Sequence, residues 1–174
     1  MTPTFEALVE TGAALIAACR QKRLRLAAAE SCTGGLLAAV LTEVPGASDV
    51  FERGFVTYSN ASKSEQLNVP ADLIERFGAV SEEVAHAMAS GALLHSHADL
   101  AIAVTGVAGP GGGTVSKPVG LVHLAAARRS GDTLHKELRL ADIGRAAVRR
   151  ASVGEALMLL TELVAQAAEA SALP

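Results

Sequence analysis

Aromatic residues are scarce in this sequence. Its 174 residues include no tryptophan, four phenylalanines and a single tyrosine, Tyr58, although half of all residues are hydrophobic. A core must therefore be built from Ala, Val, Leu and Ile, and Tyr58 draws attention. The length suits one domain spanning residues 1–174, which buries roughly 70% of the surface that the unfolded chain exposes.

Cysteine is equally sparse. Cys19 and Cys32 have no CxxC spacing and form no disulfide framework, which favours a reducing compartment. No apolar run approaches the length that spans a bilayer, and the amino terminus carries acids in place of the basic region of a signal peptide. These absences predict a soluble, cytoplasmic protein with no membrane partner.

The sequence also lacks the patterns of a nucleic-acid or metal site. The net charge is −3 and no basic stripe alternates with aromatics, so a small solute is the expected partner, not a nucleic acid. His95 and His97 are two apart on a predicted helix, with no Cys or carboxylate to complete a ligand set, and His123 alone is typical of a core or edge residue. We expect no metal and no cofactor.

Hydrophobic periodicity predicts strands that alternate with helices. This order favours a three-layer α/β/α sandwich with a mostly parallel or mixed sheet. Ligands of such sheets bind outside the carboxyl ends of strands, which selects the loops after Ala29, Tyr58 and Val104. The predicted strands are 25–29, 51–58, 100–104, 119–126 and an edge strand 133–140, and the predicted helices are 5–20, 36–43, one that ends at 67, 70–77, 81–97 and 143–170.

The first of these loops, in AESCTGG, contains Ser31. Either Ser31 or Thr33 is placed to cap the following helix, whereas a nucleophilic serine needs an activating group. The G-x-S-x-G elbow is absent, and none of the five histidines lies in the three loops. Lys63, in TYSNASK beside Tyr58, can act as a general base if burial lowers its pKa. The alternative is that Lys63 is a solvated lysine.

Two further segments are candidates for anion binding. The glycine-rich stretch 105–113, TGVAGPGGG, offers unobstructed backbone amides, and Lys117 adds charge nearby; the alternative is a flexible surface loop. Arg145 and Arg149 share one face at the start of the closing helix, where cations oppose the helix dipole unless an anion offsets them. A solvated basic patch is the other explanation.

Three motifs in this order, AESCTGG, GFVTYSNASK and AVTGVAGPGGG followed by KPVG, resemble the CinA carboxy-terminal domain family. The resemblance covers nearly the whole chain. Stand-alone members of the family are nicotinamide-nucleotide amidases, whereas longer members carry a molybdopterin-binding-like domain before this one. We expect a single-domain member without that preceding domain.

The resemblance implies hydrolysis of the carboxamide of nicotinamide mononucleotide to nicotinate mononucleotide and ammonia, in pyridine nucleotide recycling, by a metal-free Ser/Lys mechanism. It also favours a homodimer. It assigns Ser31 as nucleophile, Lys63 as general base and Tyr58 as their hydrogen-bonding partner. The residues expected to contact the substrate or the oxyanion are Thr33, Gly34, Gly35, Thr105, Gly106, Lys117 and Arg145.

Two points qualify this assignment. The family commonly has Gly-Asp-Arg where this chain has Ile-Gly-Arg, residues 143–145. A different class of function, a non-catalytic nucleotide-binding module linked to competence or DNA repair, is attached to the same family name. The complete set of Ser31, Tyr58 and Lys63 favours the enzyme, because a binding module does not require all three.

Overall fold

The computed structural model describes residues 2–129, 131 and 133–170, except for the side chains of 167–170. It contains five strands and six helices in these residues, with one short 3-10 helix, Ala47–Asp49. The helices are α1 (Phe5–Gln21), α2 (Leu36–Thr42), α3 (Asn60–Leu67), α4 (Ala71–Phe77), α5 (Glu82–Leu94) and α6 (Arg145–Ala170), and the strands are β1 (Leu26–Glu30), β2 (Phe51–Val56), β3 (Leu100–Gly106), β4 (Leu121–Arg128) and β5 (Thr133–Arg139).

The strands form one mixed sheet in the order β2-β1-β3-β4-β5. β1 runs parallel to β2 and β3, whereas β4 is antiparallel to both β3 and β5. The predicted α/β fold with a mixed sheet is thus confirmed. Glu30 at the end of β1 is level with Val56 on one side and Val104 on the other, so the three loops selected from the sequence meet at one edge of the sheet.

The two faces of the sheet are covered by different helices. Large aliphatic residues of α1, α2 and α6 pack against Ala28, Ile102 and Leu124 on one face. On the other face α5 lies against strand alanines such as Ala101 and Ala125, whose small side chains let the helix approach the sheet closely. The described helices include none that is long and apolar enough to cross a membrane.

The position of α3 is fixed by a close contact with α5. A Cβ atom at Gly91 of α5 would lie 2.0 Å from the carbonyl oxygen of Leu67, so only glycine allows the two helices to approach this closely. Ser59 and Ser62 form a reciprocal capping box that fixes the start of α3. Both features determine where Lys63, in the first turn of α3, places its side chain.

Some predicted boundaries are wrong by two or three residues. α5 ends at Leu94, not at residue 97, because the guanidinium of Arg129 binds the carbonyls of Leu93, Ser96 and Ala98 and fixes a non-helical turn there. β3 extends to Gly106 because its pairing with β4 continues to Val122.

Candidate active site

An open cleft of about 540 Å³ lies at the edge of the sheet where β1, β2 and β3 end. This volume is within the usual range for small-molecule sites. The three predicted loops all contribute to its walls, together with the start of α6. Of the residues predicted from the sequence, those that line the cleft are Ser31, Tyr58, Lys63, Thr105, Gly106 and Arg145.

Ser31 and Lys63 are in direct contact inside the cleft. The amino nitrogen of Lys63 lies 3.0 Å from the hydroxyl oxygen of Ser31. The turn that carries Ser31 is attached to the sheet, because its amide donates to the carbonyl of Val104 at 2.9 Å. A distance of this length is within reach for proton transfer from a hydroxyl to a base.

Lys63 is almost completely buried, with 1% of its surface exposed. Its amino group donates to the carbonyl of Thr57 at 2.8 Å and, more weakly, to the carbonyl of Ser59 at 3.5 Å. In the described part of the chain no carboxylate pairs with it. Burial lowers the pKa of Lys63 below its ordinary value because the charged form loses its hydration.

Three oxygens surround the Lys63 amino group: the carbonyls of Thr57 and Ser59 and the hydroxyl of Ser31. The charged form can donate to all three oxygens. The neutral form has two N–H bonds and one lone pair, so it can donate to both carbonyls and accept the hydroxyl proton of Ser31. The arrangement therefore places a hydroxyl directly beside a buried amine, with no histidine between them.

Cys32 follows Ser31 but has the wrong environment for a nucleophile. Only 6% of its surface is exposed, and burial raises the pKa of its thiol to about 12. The thiolate is the reactive form of cysteine, so near neutral pH this side chain stays protonated and unreactive.

Tyr58 lies at the mouth of the cleft, with 60% of its surface exposed. Its hydroxyl accepts a hydrogen bond from Arg145 at 2.6 Å, and Arg145 also donates to the carbonyl of Gly109 at 2.9 Å. Arg145 thus bridges the loop after β2 and the glycine-rich loop. Within the part of the chain that the structure describes, Tyr58 makes no hydrogen bond to Ser31 or Lys63. Ser31 and Lys63 therefore contact each other directly, without Tyr58 between them.

The structure does not give Thr33 the capping role that the sequence allowed. The N-cap of α2 is Gly35, which has no side chain to cap the helix. The Thr33 hydroxyl is completely buried and has no hydrogen-bond partner among the described residues. The prediction of a Ser31 or Thr33 cap is wrong, because a carboxylate from β1 takes that role.

That carboxylate belongs to Glu30, which the sequence analysis did not single out. It accepts hydrogen bonds from the amides of Gly35, Leu37 and Ala38. The amide of Gly34 is also in use, since it donates to the carbonyl of Ser31 at 3.1 Å. The amides of Gly34 and Gly35 are therefore unavailable to an oxyanion, contrary to the expectation from the sequence. One signal was present: Glu30 ends the otherwise apolar strand LAAAE.

On the opposite wall, the hydroxyl of Thr105 donates to the carbonyl of Ala79 at 2.7 Å. This bond attaches the loop before α5 to the end of β3. Gly106 brings β3 and β4 close together, since a Cβ atom there would lie 2.8 Å from the carbonyl of Leu121. Both residues are thus positioned at the cleft by the sheet.

The structure does not bring Lys117 or Arg149 into the cleft. Lys117 donates to the carbonyl of Phe77 and lines a separate cavity with His123 and Glu137. Arg149 donates to the carbonyl of Thr33 at 2.5 Å, behind the Ser31 turn. Of the two arginines that the sequence placed on one helix face, only Arg145 reaches the cleft.

His123 lies in the sheet and contacts another histidine. His123 is buried in β4, as its position in the sequence indicated, and its Nδ1 lies 3.0 Å from Nε2 of His135. No group of three or more His, Cys, Asp or Glu side chains that could hold a metal ion occurs within residues 2–129, 131 and 133–166.

Comparison with known proteins identifies the family. A sequence model of the CinA C-terminal domain matches residues 9–164. The chain therefore belongs to the CinA C-terminal domain family.

Named relatives are longer than the segment they share with this chain. A CinA-like protein of Akkermansia muciniphila is 58% identical over 120 residues, which are 69% of this chain and 29% of that protein. A CinA-like protein of Anaeromyxobacter sp. is 48% identical over 155 residues, 89% of this chain and 37% of that protein. The chain thus spans about a third of the length of these curated relatives.

Solved structures share the fold over almost their whole length. The competence/damage inducible protein CihA from Agrobacterium tumefaciens superposes with a TM-score of 0.89 at 48% identity, covering 94% of this chain and 98% of that chain. A CinA superfamily protein from Escherichia coli gives a TM-score of 0.86 at 34% identity, covering 94% of each chain.

Proposed function

We propose that this domain hydrolyses the carboxamide of nicotinamide mononucleotide to nicotinate mononucleotide and ammonia, with Ser31 as nucleophile and Lys63 as general base. The observation that carries the proposal is the 3.0 Å contact between Ser31 and a buried lysine that has no carboxylate partner in the described residues. A serine hydroxyl is a weak nucleophile without a base, and Lys63 supplies that base.

In the first step neutral Lys63 accepts the proton of the Ser31 hydroxyl as the oxygen attacks the amide carbon. The resulting tetrahedral oxyanion collapses to an acyl-enzyme when the C–N bond breaks. Lys63 returns the proton to the leaving nitrogen, which departs as ammonia. Lys63 then activates a water molecule in the same way, and the acid is released.

The oxyanion needs amide donors that are not already bonded. The amides of Gly34 and Gly35 are in use, which leaves those of Cys32 and Thr33 in the same turn. Ala108 and Gly109 line the same cleft as Ser31, and their amides are the second set of candidates.

Arg145 is the group that we assign to the substrate phosphate. Its guanidinium lies at the mouth of the cleft, held by Tyr58 and Gly109, and a planar guanidinium suits bidentate phosphate binding. The amino end of α2, the other natural anion site of this region, already holds the carboxylate of Glu30. This arrangement supports a phosphate at the cleft mouth and the carboxamide at Ser31.

A non-catalytic nucleotide-binding module linked to competence or DNA repair is the alternative, and the names of relatives such as the putative competence-damage inducible protein of Caldicellulosiruptor saccharolyticus favour it. Binding alone gives no reason to bury an amino group beside a serine.

We further propose a cytoplasmic homodimer with no nucleic-acid partner.

Ammonia release from purified protein distinguishes the two functions. The protein is incubated in parallel with nicotinamide mononucleotide, NAD and free nicotinamide. The amidase proposal predicts ammonia from the mononucleotide and little from nicotinamide, because the phosphate supplies binding energy that the truncated substrate lacks. Tight mononucleotide binding measured by calorimetry without ammonia release would support the binding module instead.

A further inference from the structure

Glu30 immediately precedes Ser31, and its side chain has no exposure to solvent. Its Oε2 accepts hydrogen bonds from the amides of Gly35 at 3.1 Å and Leu37 at 3.0 Å, and its Oε1 accepts one from Ala38 at 2.9 Å. Burying a carboxylate is costly unless it is paired or hydrogen-bonded. These three bonds compensate for the burial of Glu30.

The same bonds replace the cap that α2 lacks. The N-cap Gly35 contributes no side chain, and the first turn of α2 contains no acid. The first amides of a helix have no acceptor within it and carry partial positive charge. Glu30 is thus both the last residue of β1 and the anionic cap of α2.

The backbone at this point is fixed to both neighbouring strands. The amide of Thr57 donates to the carbonyl of Glu30 at 2.8 Å, and the amide of Ser31 donates to the carbonyl of Val104 at 2.9 Å. The turn of residues 31–35 is therefore held by the sheet at its start and by the Glu30 carboxylate at its end. The direction in which Ser31 presents its hydroxyl depends on the path of this turn.

We propose that Glu30 is a positioning residue, which keeps the Ser31 hydroxyl within hydrogen-bonding distance of Lys63 by fixing α2 to the end of β1. This inference rests on the proposed Ser31–Lys63 chemistry. Glu30 does not line the cleft, so it acts through the turn and not on the substrate.

The first test is kinetic. Glu30→Gln keeps the shape of the side chain but replaces one accepting oxygen by an NH2 group, so amides at the start of α2 lose their acceptor. We expect kcat for the mononucleotide to fall by at least about 10-fold while KM changes less than about 3-fold, because a misplaced nucleophile slows the chemical step without weakening binding. Glu30→Asp, which keeps the charge on a shorter side chain, should recover part of the lost kcat.

Leu41→Ala is the matched control. Leu41 is a fully buried core residue of α2 that does not line the cleft. Both variants should lower the urea midpoint, but only Glu30→Gln should lower kcat. A normal kcat in Glu30→Gln, or an equal loss in Leu41→Ala, would show that Glu30 contributes stability alone.

The second test needs no substrate. Crystal structures of the wild-type protein, Glu30→Gln and Leu41→Ala would give the distance between the Ser31 hydroxyl and the Lys63 amino group. We expect it to exceed a hydrogen-bond length of about 3.2 Å in Glu30→Gln alone. An unchanged distance overturns the inference. A wild-type protein that does not deamidate the mononucleotide would instead refute the proposed function and leave this distance test valid.

Discussion

Lys63 of α3 lies 32 residues after Ser31 in the chain and places its amino group 3.0 Å from the serine hydroxyl. The contact depends on the capping box of α3 and on the close approach of α5 to the end of α3. If the proposed mechanism is correct, the two residues act as one catalytic unit, so changes at either should have the same consequence.

Removal of the base gives the first prediction. Lys63→Ala should reduce kcat by at least about 1,000-fold, and the double variant with Ser31→Ala should be little worse than either single variant, because residues that act as a unit fail together. Ammonia release measures each rate. Lys136→Ala, which removes an exposed lysine that pairs with Glu155, is the control and should behave as wild type. Losses that multiply in the double variant would mean that the two residues act independently.

The pH dependence of activity gives the second prediction. Burial lowers the pKa of Lys63 from the ordinary lysine value of 10.5, and the base must be neutral to act. Activity should therefore fall on the acid side as Lys63 takes up a proton, with an inflection in kcat/KM below 10.5. The Lys136→Ala profile should superimpose on this curve. A rate that is constant from about pH 5 to pH 9 would exclude a base of this kind.

Stability should depend on pH for the same reason. A lysine whose pKa is lowered by folding binds a proton more readily when the chain is unfolded, so the wild-type protein loses stability as pH falls from the unfolded to the folded pKa. Lys63→Met removes this effect. The measured quantity is the free energy of unfolding of Lys63→Met minus that of the wild type, obtained from urea unfolding. We expect this difference to be greater at pH 7 than near the ordinary lysine pKa of 10.5. A difference that does not change with pH would indicate that Lys63 is not desolvated.

Loss of Arg145 should weaken phosphate binding. Arg145→Ala is expected to raise KM for the mononucleotide by about 10-fold or more, in line with the energy of a hydrogen bond to a charged group. KM for nicotinamide riboside, which has no phosphate, should change much less. Arg139→Ala, at an exposed arginine that pairs with Glu137, is the matched control. Equal effects on both substrates would place the phosphate elsewhere.

The strand and helix order could be read from the sequence because some elements have a clear periodicity and others are short apolar runs bounded by turn residues. β1 and β3 are short apolar runs, buried apart from Gly106 at the end of β3, and this pattern is typical of strands covered by helices on both faces. The rule that ligands bind at strand carboxyl ends then placed Ser31 and Thr105 near each other. The local hydrophobic pattern was sufficient to place these two residues at the same edge of the sheet.

The sequence did not predict contacts that depend on tertiary packing. The position of Glu30 at the end of an apolar strand was the one local signal, but its three partners are amides five to eight residues later in the chain, which the strand pattern does not reveal. Lys117 follows a glycine-rich loop whose path is not determined by any pattern, and the loop carries it to Phe77. The lowered pKa of Lys63 likewise depends on its burial between α3 and the neighbouring elements, which the sequence alone does not reveal.

The most direct test compares neighbouring residues in the same turn. Ser31→Ala and Cys32→Ala each remove one small polar atom, and ammonia release from nicotinamide mononucleotide measures their turnover under identical conditions. The account predicts that Ser31→Ala abolishes release while the protein remains folded, and that Cys32→Ala, at a buried thiol with a pKa of about 12, retains most of it. Substantial activity in Ser31→Ala together with its loss in Cys32→Ala would contradict the Ser/Lys mechanism and require a thiol nucleophile.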